Sequence, residues 1–189
     1  MTRCLSGRSR AWIGPAPARR PPSNRVPSPP WKSYFWPGTS VLRNKLGITE
    51  QTALSVMERA HTLRQAQRIA TGRLPTERTF DDSHLQAIHS ALFSAMYDSA
   101  GQFRTVDIRR GVNEFARVND IPALLGQMHR RVPETDWSVD DPDVFASNIA
   151  DTFVIVNFAH PFRDGNGRTT RIFLNHVAEL RPFGSISRR

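Results

Sequence analysis

Residues 160–171 read His-Pro-Phe-Arg-Asp-Gly-Asn-Gly-Arg-Thr-Thr-Arg. A base (His160), a carboxylate (Asp164), an Asn between two glycines (Gly165, Asn166, Gly167) and two arginines (Arg168, Arg171) fall within about three helical turns of sequence. An imidazole titrates near pH 6.5 and can take a proton from a hydroxyl at physiological pH. Asp164 suits Mg²⁺, a hard ion that takes one or two carboxylates beside phosphate oxygens. Glycines admit positive φ and let a phosphate approach converging backbone N–H groups, and the helix that follows turns its N-terminus toward the same anion. Arg168 and Arg171 stand three apart on one helix face. Each part alone has a plain structural reading: a hydrogen-bonded His, a loop Asp, a common Gly-Asn-Gly turn, a solvated arginine pair. The combination is what is needed to hold a nucleoside triphosphate with a metal ion and deprotonate an attacking hydroxyl.

The elements around this run follow from periodicity. Asp141-Pro142 opens a helix to about residue 158, whose Phe145, Ile149, Phe153, Val154, Ile155 and Val156 are apolar nearly all round, the mark of a buried central helix. Pro161 should end it and hold His160 in an extended backbone. Phe162 should anchor the loop in the core. The helix starting near Gly167 carries Ile172, Phe173, Val177 and Leu180. Upstream, helices are expected over about 49–70, over about 84–98 and over about 120–131, the last with Pro122 in its first turn. The second opens on a capping box, Ser83-His84-Leu85-Gln86, carries the stripe Leu85, Ile88, Leu92, Phe93 and Met96, and is stopped by Gly101. Between 103 and 118, Val106, Ile108, Val112 and Phe115 straddle Arg109-Arg110-Gly111, which reads as a short hairpin. The expected fold is all-α with one small β-hairpin.

The net charge of +9 belongs to the ends. Seven Lys and Arg lie in residues 1–40 and three in 181–189, leaving sixteen to face all 17 acids in the body. Residues 1–32 form a Pro- and Arg-rich arm that cannot build a helix or bury apolar surface, read as disordered. Such an arm attracts nucleic acid only weakly, so nucleic acid is not the expected partner. Order should begin near Ser33, with Tyr34-Phe35-Trp36-Pro37-Gly38 ending in a turn. The domain is set at 33–180, and 181–189 is a basic tail after Arg181-Pro182. The single Cys4 excludes an intramolecular disulfide. No apolar run reaches membrane-span length and no h-region follows the N-terminal arginines, so a cytoplasmic protein is expected.

The run from His160 to Arg171 resembles, at every defined position, the signature of the Fic family (His-Pro-Phe-x-Asp/Glu-Gly-Asn-Gly-Arg-x-x-Arg). The entry Tyr34-x-x-Pro37-Gly38-Thr39 with Leu42-x-Asn44-Lys45-Leu46-Gly47 is similar to the N-terminal edge of many Fic domains. The resemblance implies a Fic-type helical domain that transfers AMP from ATP to a Ser, Thr or Tyr hydroxyl of a protein. It implies His160 as base, Asp164 as Mg²⁺ ligand, Asn166 as α-phosphate contact, and Arg168 and Arg171 as β- and γ-phosphate contacts. Gly167 stands where a phosphotransferring branch has Lys, which favours adenylylation. The hairpin corresponds to the family's flap, which holds the target segment as an added strand, with Arg109 and Arg110 placed to steer an acidic target. Many relatives carry an inhibitory Ser/Thr-x-x-x-Glu-Gly/Asn helix. None of Glu50, Glu58, Glu77, Glu114, Glu134 and Glu179 is followed by Gly or Asn, so the resemblance implies a separate antitoxin supplying a Glu to Arg171. DNA gyrase and topoisomerase IV are then the leading targets, and small GTPases the alternative for a host-targeted effector. Family members usually continue with one or two helices beyond this one, so an inactive fragment that only binds nucleotide or antitoxin is the remaining reading.

Overall fold

The computed structural model describes residues 31–182. Most of the arm and residues 183–189 of the tail lie outside the described residues. Trp31–Tyr34 form a 3-10 turn, and Phe35 bridges Leu42 across a turn whose Gly38 has φ 74°. Helix α1 (Gln51–Ala70) opens on Glu50, whose carboxylate accepts from the N–H groups of Thr52 and Ala53 at 2.7 and 2.6 Å, which supplies acceptors that the helix lacks at its start. Helix α2 (Asp82–Phe93) begins one position after Asp81, which accepts from the His84 N–H at 3.1 Å. The capping box expected at Ser83 is therefore displaced. The Ser83 hydroxyl donates to Asp81, because an ionised carboxylate is the stronger acceptor. The helix also stops at Phe93 rather than near 98, and the turn beyond it carries Met96 and Tyr97 into the core.

Strands β1 (Arg109–Arg110) and β2 (Asn113–Glu114) pair antiparallel, with Arg110 opposite Asn113. Gly111, at φ 61°, takes the first place of a two-residue turn, where positive φ matches the strand twist. Helix α3 (Ile121–Glu134) accommodates Pro122 at its start, where the missing N–H costs nothing. Helix α4 (Pro142–Ala159) is capped by Asp141, and helix α5 (Asn166–Ala178) follows the signature loop. The expected all-α architecture with one hairpin is observed.

Helix α5 packs against α2 and α4, α4 also against α3, and α1 against α2. Leu85, Ile88, Leu92 and Phe93 of α2 meet Leu125 and Met128 of α3, Val156 and Ala159 of α4, and Phe173 and Val177 of α5 in one core. Full burial of such a Leu, Ile or Phe is worth roughly 1.5–3 kcal/mol. Within it His84 Nε2 lies 2.9 Å from His176 Nδ1, with the rings stacked at 9°. Helix α4 is not the buried central helix its composition suggests. Thr152, Val156 and Ala159 are buried, but Phe153, Val154 and Phe158 are 42–44% exposed. Its neighbours α3 and α5 cover only part of its circumference, and apolar content does not say how many neighbours a helix will find. Among the described residues no helix is long and apolar enough to cross a membrane.

Candidate active site

Helix α4 ends at His160 because Pro161 has no N–H with which to continue it. His160 does not take the extended backbone expected before proline. It adopts the left-handed conformation, φ 41° and ψ 59°, with its N–H on the Val156 carbonyl at 3.0 Å. That geometry closes the helix as a left-handed cap and turns the His160 carbonyl onto Arg104 Nε at 2.8 Å. A non-glycine residue pays about 1–2 kcal/mol for it. His160 Nδ1 lies 3.2 Å from the Asn157 carbonyl. A carbonyl only accepts, so Nδ1 carries the hydrogen and Nε2 keeps its lone pair. The ring stacks on Phe115, just past β2, at 3.7 Å between centroids. Burial, aided by the charges of Arg104 and Arg110, holds its pKa below the ordinary histidine value, against the Asn157 carbonyl and Asp164. It is neutral at physiological pH.

The loop beyond it is fixed from several sides. Phe162 is buried, as expected of an anchor, and stacks on His89 at 4.0 Å. Asn166 spends both ends of its amide on Phe162, Oδ1 accepting from the N–H and Nδ2 donating to the carbonyl, each at 2.8 Å. Its side chain thus closes the loop, which leaves its backbone N–H rather than its amide to face a phosphate. Gly165 has φ 74°, and a Cβ there would meet the Phe93 ring at 2.4 Å. Glycine is required on both counts. Gly167 has no positive φ, and a Cβ there would meet nothing within 4 Å. Its value is open space beside the start of α5, where the Arg168 and Thr169 N–H groups turn to the Gly165 carbonyl and those of Asn166 and Gly167 have no acceptor among the described residues.

Asp164 is exposed. Its Oδ1 accepts from the Gly165 N–H at 2.6 Å and its carbonyl accepts from His89. The Gly101 N–H donates to His89 Nδ1 at 2.9 Å, so His89 Nε2 holds the hydrogen that reaches Asp164. Burial pushes His89 down to about 4, keeping it neutral. No group of three or more metal-ligating side chains occurs among the described residues. One exposed carboxylate with a spare oxygen is nevertheless a fit for Mg²⁺, which keeps several waters and takes the rest from phosphate.

The two signature arginines part company. Arg168 turns to α1, donating to Glu58 at 2.5 Å and lying 4.7 Å over the Phe93 ring. Tyr97 donates its hydroxyl to the other Glu58 oxygen. Arg171 is exposed, with no hydrogen bond or ion pair among the described residues. A cavity of about 290 Å³, lined by Gln51, Ser55, Glu58, Tyr97, Arg163 and Asp164, opens between α1 and the loop. A second, of about 530 Å³, is lined by Asp107, Arg109, Glu114, Phe115 and Arg117 beside the hairpin. Arg109 and Arg110 are exposed on β1. His89, Phe93, Tyr97, Glu58 and Arg104 were not legible as site residues. The first three sit in or beside an apolar stripe, and Glu58 lacks the flanking residue that the inhibitory motif requires.

A helical domain that sets a capped histidine beside a glycine loop and a helix N-terminus has the groups a phosphate-handling transferase needs. Residues 79–178 match the Fic/DOC family. The chain is 33% identical over 146 residues to protein adenylyltransferase VbhT of Bartonella schoenbuchensis, covering 77% of this chain and 30% of that protein. It is 33% identical over 146 residues to the probable protein adenylyltransferase Fic of Salmonella typhimurium, covering 77% of this chain and 71% of that one. Among solved structures it is similar to the Bartonella tribocorum effector BepC with bound AMPPNP, at 26% identity and TM-score 0.68, covering 79% and 78% of the two chains. The type IV secretion system effector BepA matches at 27% identity and TM-score 0.70, covering 78% and 54%. The chain belongs to the Fic/DOC family, the family of the protein adenylyltransferases. It spans less than a third of VbhT and about seven-tenths of the Salmonella protein.

Proposed function

We propose that this chain is a protein adenylyltransferase that moves AMP from ATP to a Ser, Thr or Tyr hydroxyl of a target protein. The observation that carries the reading is His160, neutral and presenting an Nε2 lone pair beside the glycine loop that opens α5. The target oxygen bonds to the α-phosphorus, the bond from that phosphorus to the bridging oxygen breaks, and pyrophosphate leaves. The hydroxyl proton goes to His160 Nε2. The first N–H groups of α5, with Arg168 and Arg171, would hold the phosphates, so that catalysis is chiefly positioning and charge stabilisation. Asp164 would hold Mg²⁺, which supplies charge neutralisation on the phosphates. The hairpin would receive the target segment as an added strand, with Arg109 and Arg110 beside it.

Labelling with α-³²P-ATP and Mg²⁺ in a lysate tests this. Protein bands that require His160, with no label from γ-³²P-ATP, are expected. Label from γ-³²P-ATP instead would make the enzyme a kinase and overturn the reading.

We further infer that it acts as the toxin of a toxin–antitoxin pair, with DNA gyrase and topoisomerase IV as first candidate targets. Arg171, exposed and without a hydrogen bond or ion pair among the described residues, supports a Glu delivered by a separate chain. So does α1, whose Val56, Met57 and Leu63 are 50–62% exposed, an apolar stripe at helical spacing. An effector domain acting on host small GTPases is the second reading, favoured by the Bartonella effectors among its structural neighbours. Modification of purified gyrase but not of small GTPases would decide for the first.

A further inference from the structure

Arg104 is the largest fully buried side chain of the molecule's described part, and its residue is 2% exposed. It reads as a surface residue in the sequence Gln102-Phe103-Arg104-Thr105. A buried cation is tolerated only where its charge and its N–H groups are met. The one carboxylate near it, Asp107, lies 3.9 Å away and is largely in solvent. Backbone carbonyls do the work instead. Nε donates to His160 at 2.8 Å, Nη1 to Val106 at 2.8 Å, and Nη2 to Ala116 and to Ala159 at 3.3 Å. The Arg104 backbone N–H donates to Pro161 at 2.8 Å. One residue thus meets three consecutive carbonyls, Ala159, His160 and Pro161, where α4 ends and its dipole favours a cation. The other two carbonyls, Val106 and Ala116, flank the hairpin on its two sides. The Ala116 N–H completes the join by donating to the Phe158 carbonyl at 2.9 Å.

We propose that Arg104 is a positioning residue that locks His160 into its left-handed cap and fixes the register of the hairpin to that histidine through a single guanidinium. The planar fork is what the role needs. Its N–H groups point in fixed directions at carbonyls from two separate segments, whereas an ammonium offers a point charge. Target seated on the hairpin is thereby held at a set distance from the base, which is the kind of positioning worth orders of magnitude in rate. The catalytic part of this inference rests on the proposed adenylyl transfer; the structural part does not. The charged groups facing His160 are Arg104, Asp164 of the loop and Arg110 of β1. Removing the first leaves the imidazole with one fewer cation.

The experiment uses the full chain carrying R104Q or R104K. It follows His160 by imidazole NMR titration, the Ala116 amide by hydrogen exchange, and AMP transfer to a labelled lysate target. For R104Q we expect the His160 midpoint to rise toward the ordinary value near 6.5. The Ala116 amide should exchange faster, and kcat should fall about 100-fold with KM for ATP within about twofold. R104K keeps the charge and loses the fork, so His160 should titrate as in wild type while Ala116 exchange and kcat still suffer. If R104Q does not fold, R104K alone decides. Wild-type exchange at Ala116 and wild-type kcat in folded R104K would overturn the proposal. Should wild type transfer no AMP, the proposed activity fails, while the titration and exchange still judge the clamp.

Discussion

His160 stands between two regions built on opposite terms. On one side, residues 162–168 are held several times over: Asn166 on Phe162, His89 on Asp164, Phe93 against Gly165, and Glu58 on Arg168. On the other, the hairpin has two residues in each strand, an exposed tip, and the Arg104 clamp at its neck. The difference matches what each would meet. A triphosphate has one shape and rewards a preformed cradle. A protein segment brings its own backbone hydrogen bonds and can complete a short hairpin as it docks. Breaking the two regions should therefore give different signatures, chemistry or stability for the loop and target labelling for the hairpin.

The largest effect belongs to the histidine between them. His160→Ala removes the proposed base and should lower kcat by about 10²–10⁴-fold, with ATP affinity kept, as read by single-turnover labelling beside nucleotide titration. Equal loss of nucleotide binding would show that the loop had moved instead.

Next is Gly165→Ala. Its Cβ would lie 2.4 Å from the Phe93 ring at φ 74°, so overpacking and left-handed strain together should cost about 3 kcal/mol in urea denaturation. Pairing it with Phe93→Leu relieves only the steric share. A double variant no less stable than Phe93→Leu alone would mean the backbone is not strained there.

The loop's reliance on a neutral His89 gives a pH signature. Its folded pKa, about 4, lies below the ordinary 6.5, so the unfolded chain binds the proton more readily. Stability from this group is fully present above pH 6.5 and is lost as pH falls through 4, amounting to about 3 kcal/mol at the acid end. Denaturation midpoints from pH 7 to 4 should fall more steeply in wild type than in His89→Gln. Equal slopes would assign the acid sensitivity elsewhere, for example to His84, which is also pushed down to about 4. For His160, with its pKa likewise lowered, the acid limb of kcat should lie below pH 6.5.

Glu58→Gln is milder, since Tyr97 keeps an acceptor and Arg168 keeps Phe93. If Glu58 orients Arg168 for phosphate, KM for ATP should rise about tenfold, in line with a lost charge-assisted bond. A fall in KM would mean that Glu58 competes with phosphate for the arginine.

The sequence made the signature legible because its chemistry is local: base, carboxylate, glycines and arginines within one short run. It also made the helices and hairpin legible, since periodicity and turn residues are local too. What it hid was long-range or directional. Arg104 reaches carbonyls some fifty residues away, and nothing in its neighbours marks it as buried. The left-handed His160 runs against the local rule before proline, because a tertiary contact to its carbonyl outweighs it. The exposure of Phe153 and Phe158 depends on which helices lie beside α4, which no periodicity encodes. Asp81 in place of Ser83 is the smaller case, a cap decided by which of two adjacent oxygens is the better acceptor.

The smallest expected effect is at the hairpin tip, where Val112 is 97% exposed. Val112→Ser removes no folded-state packing, so stability should change by less than about 0.5 kcal/mol, and neither ATP affinity nor the His160 titration should move. If the hairpin is where the target docks, an apolar side chain held out at its turn is in position to touch that target, and labelling should drop a few-fold through a raised KM for the protein alone. This is the response the comparison requires of the lightly built side: a loss felt only in the presence of the partner. Unchanged labelling would confine target recognition to the strand backbones and to Arg109 and Arg110, and leave the tip a mere turn.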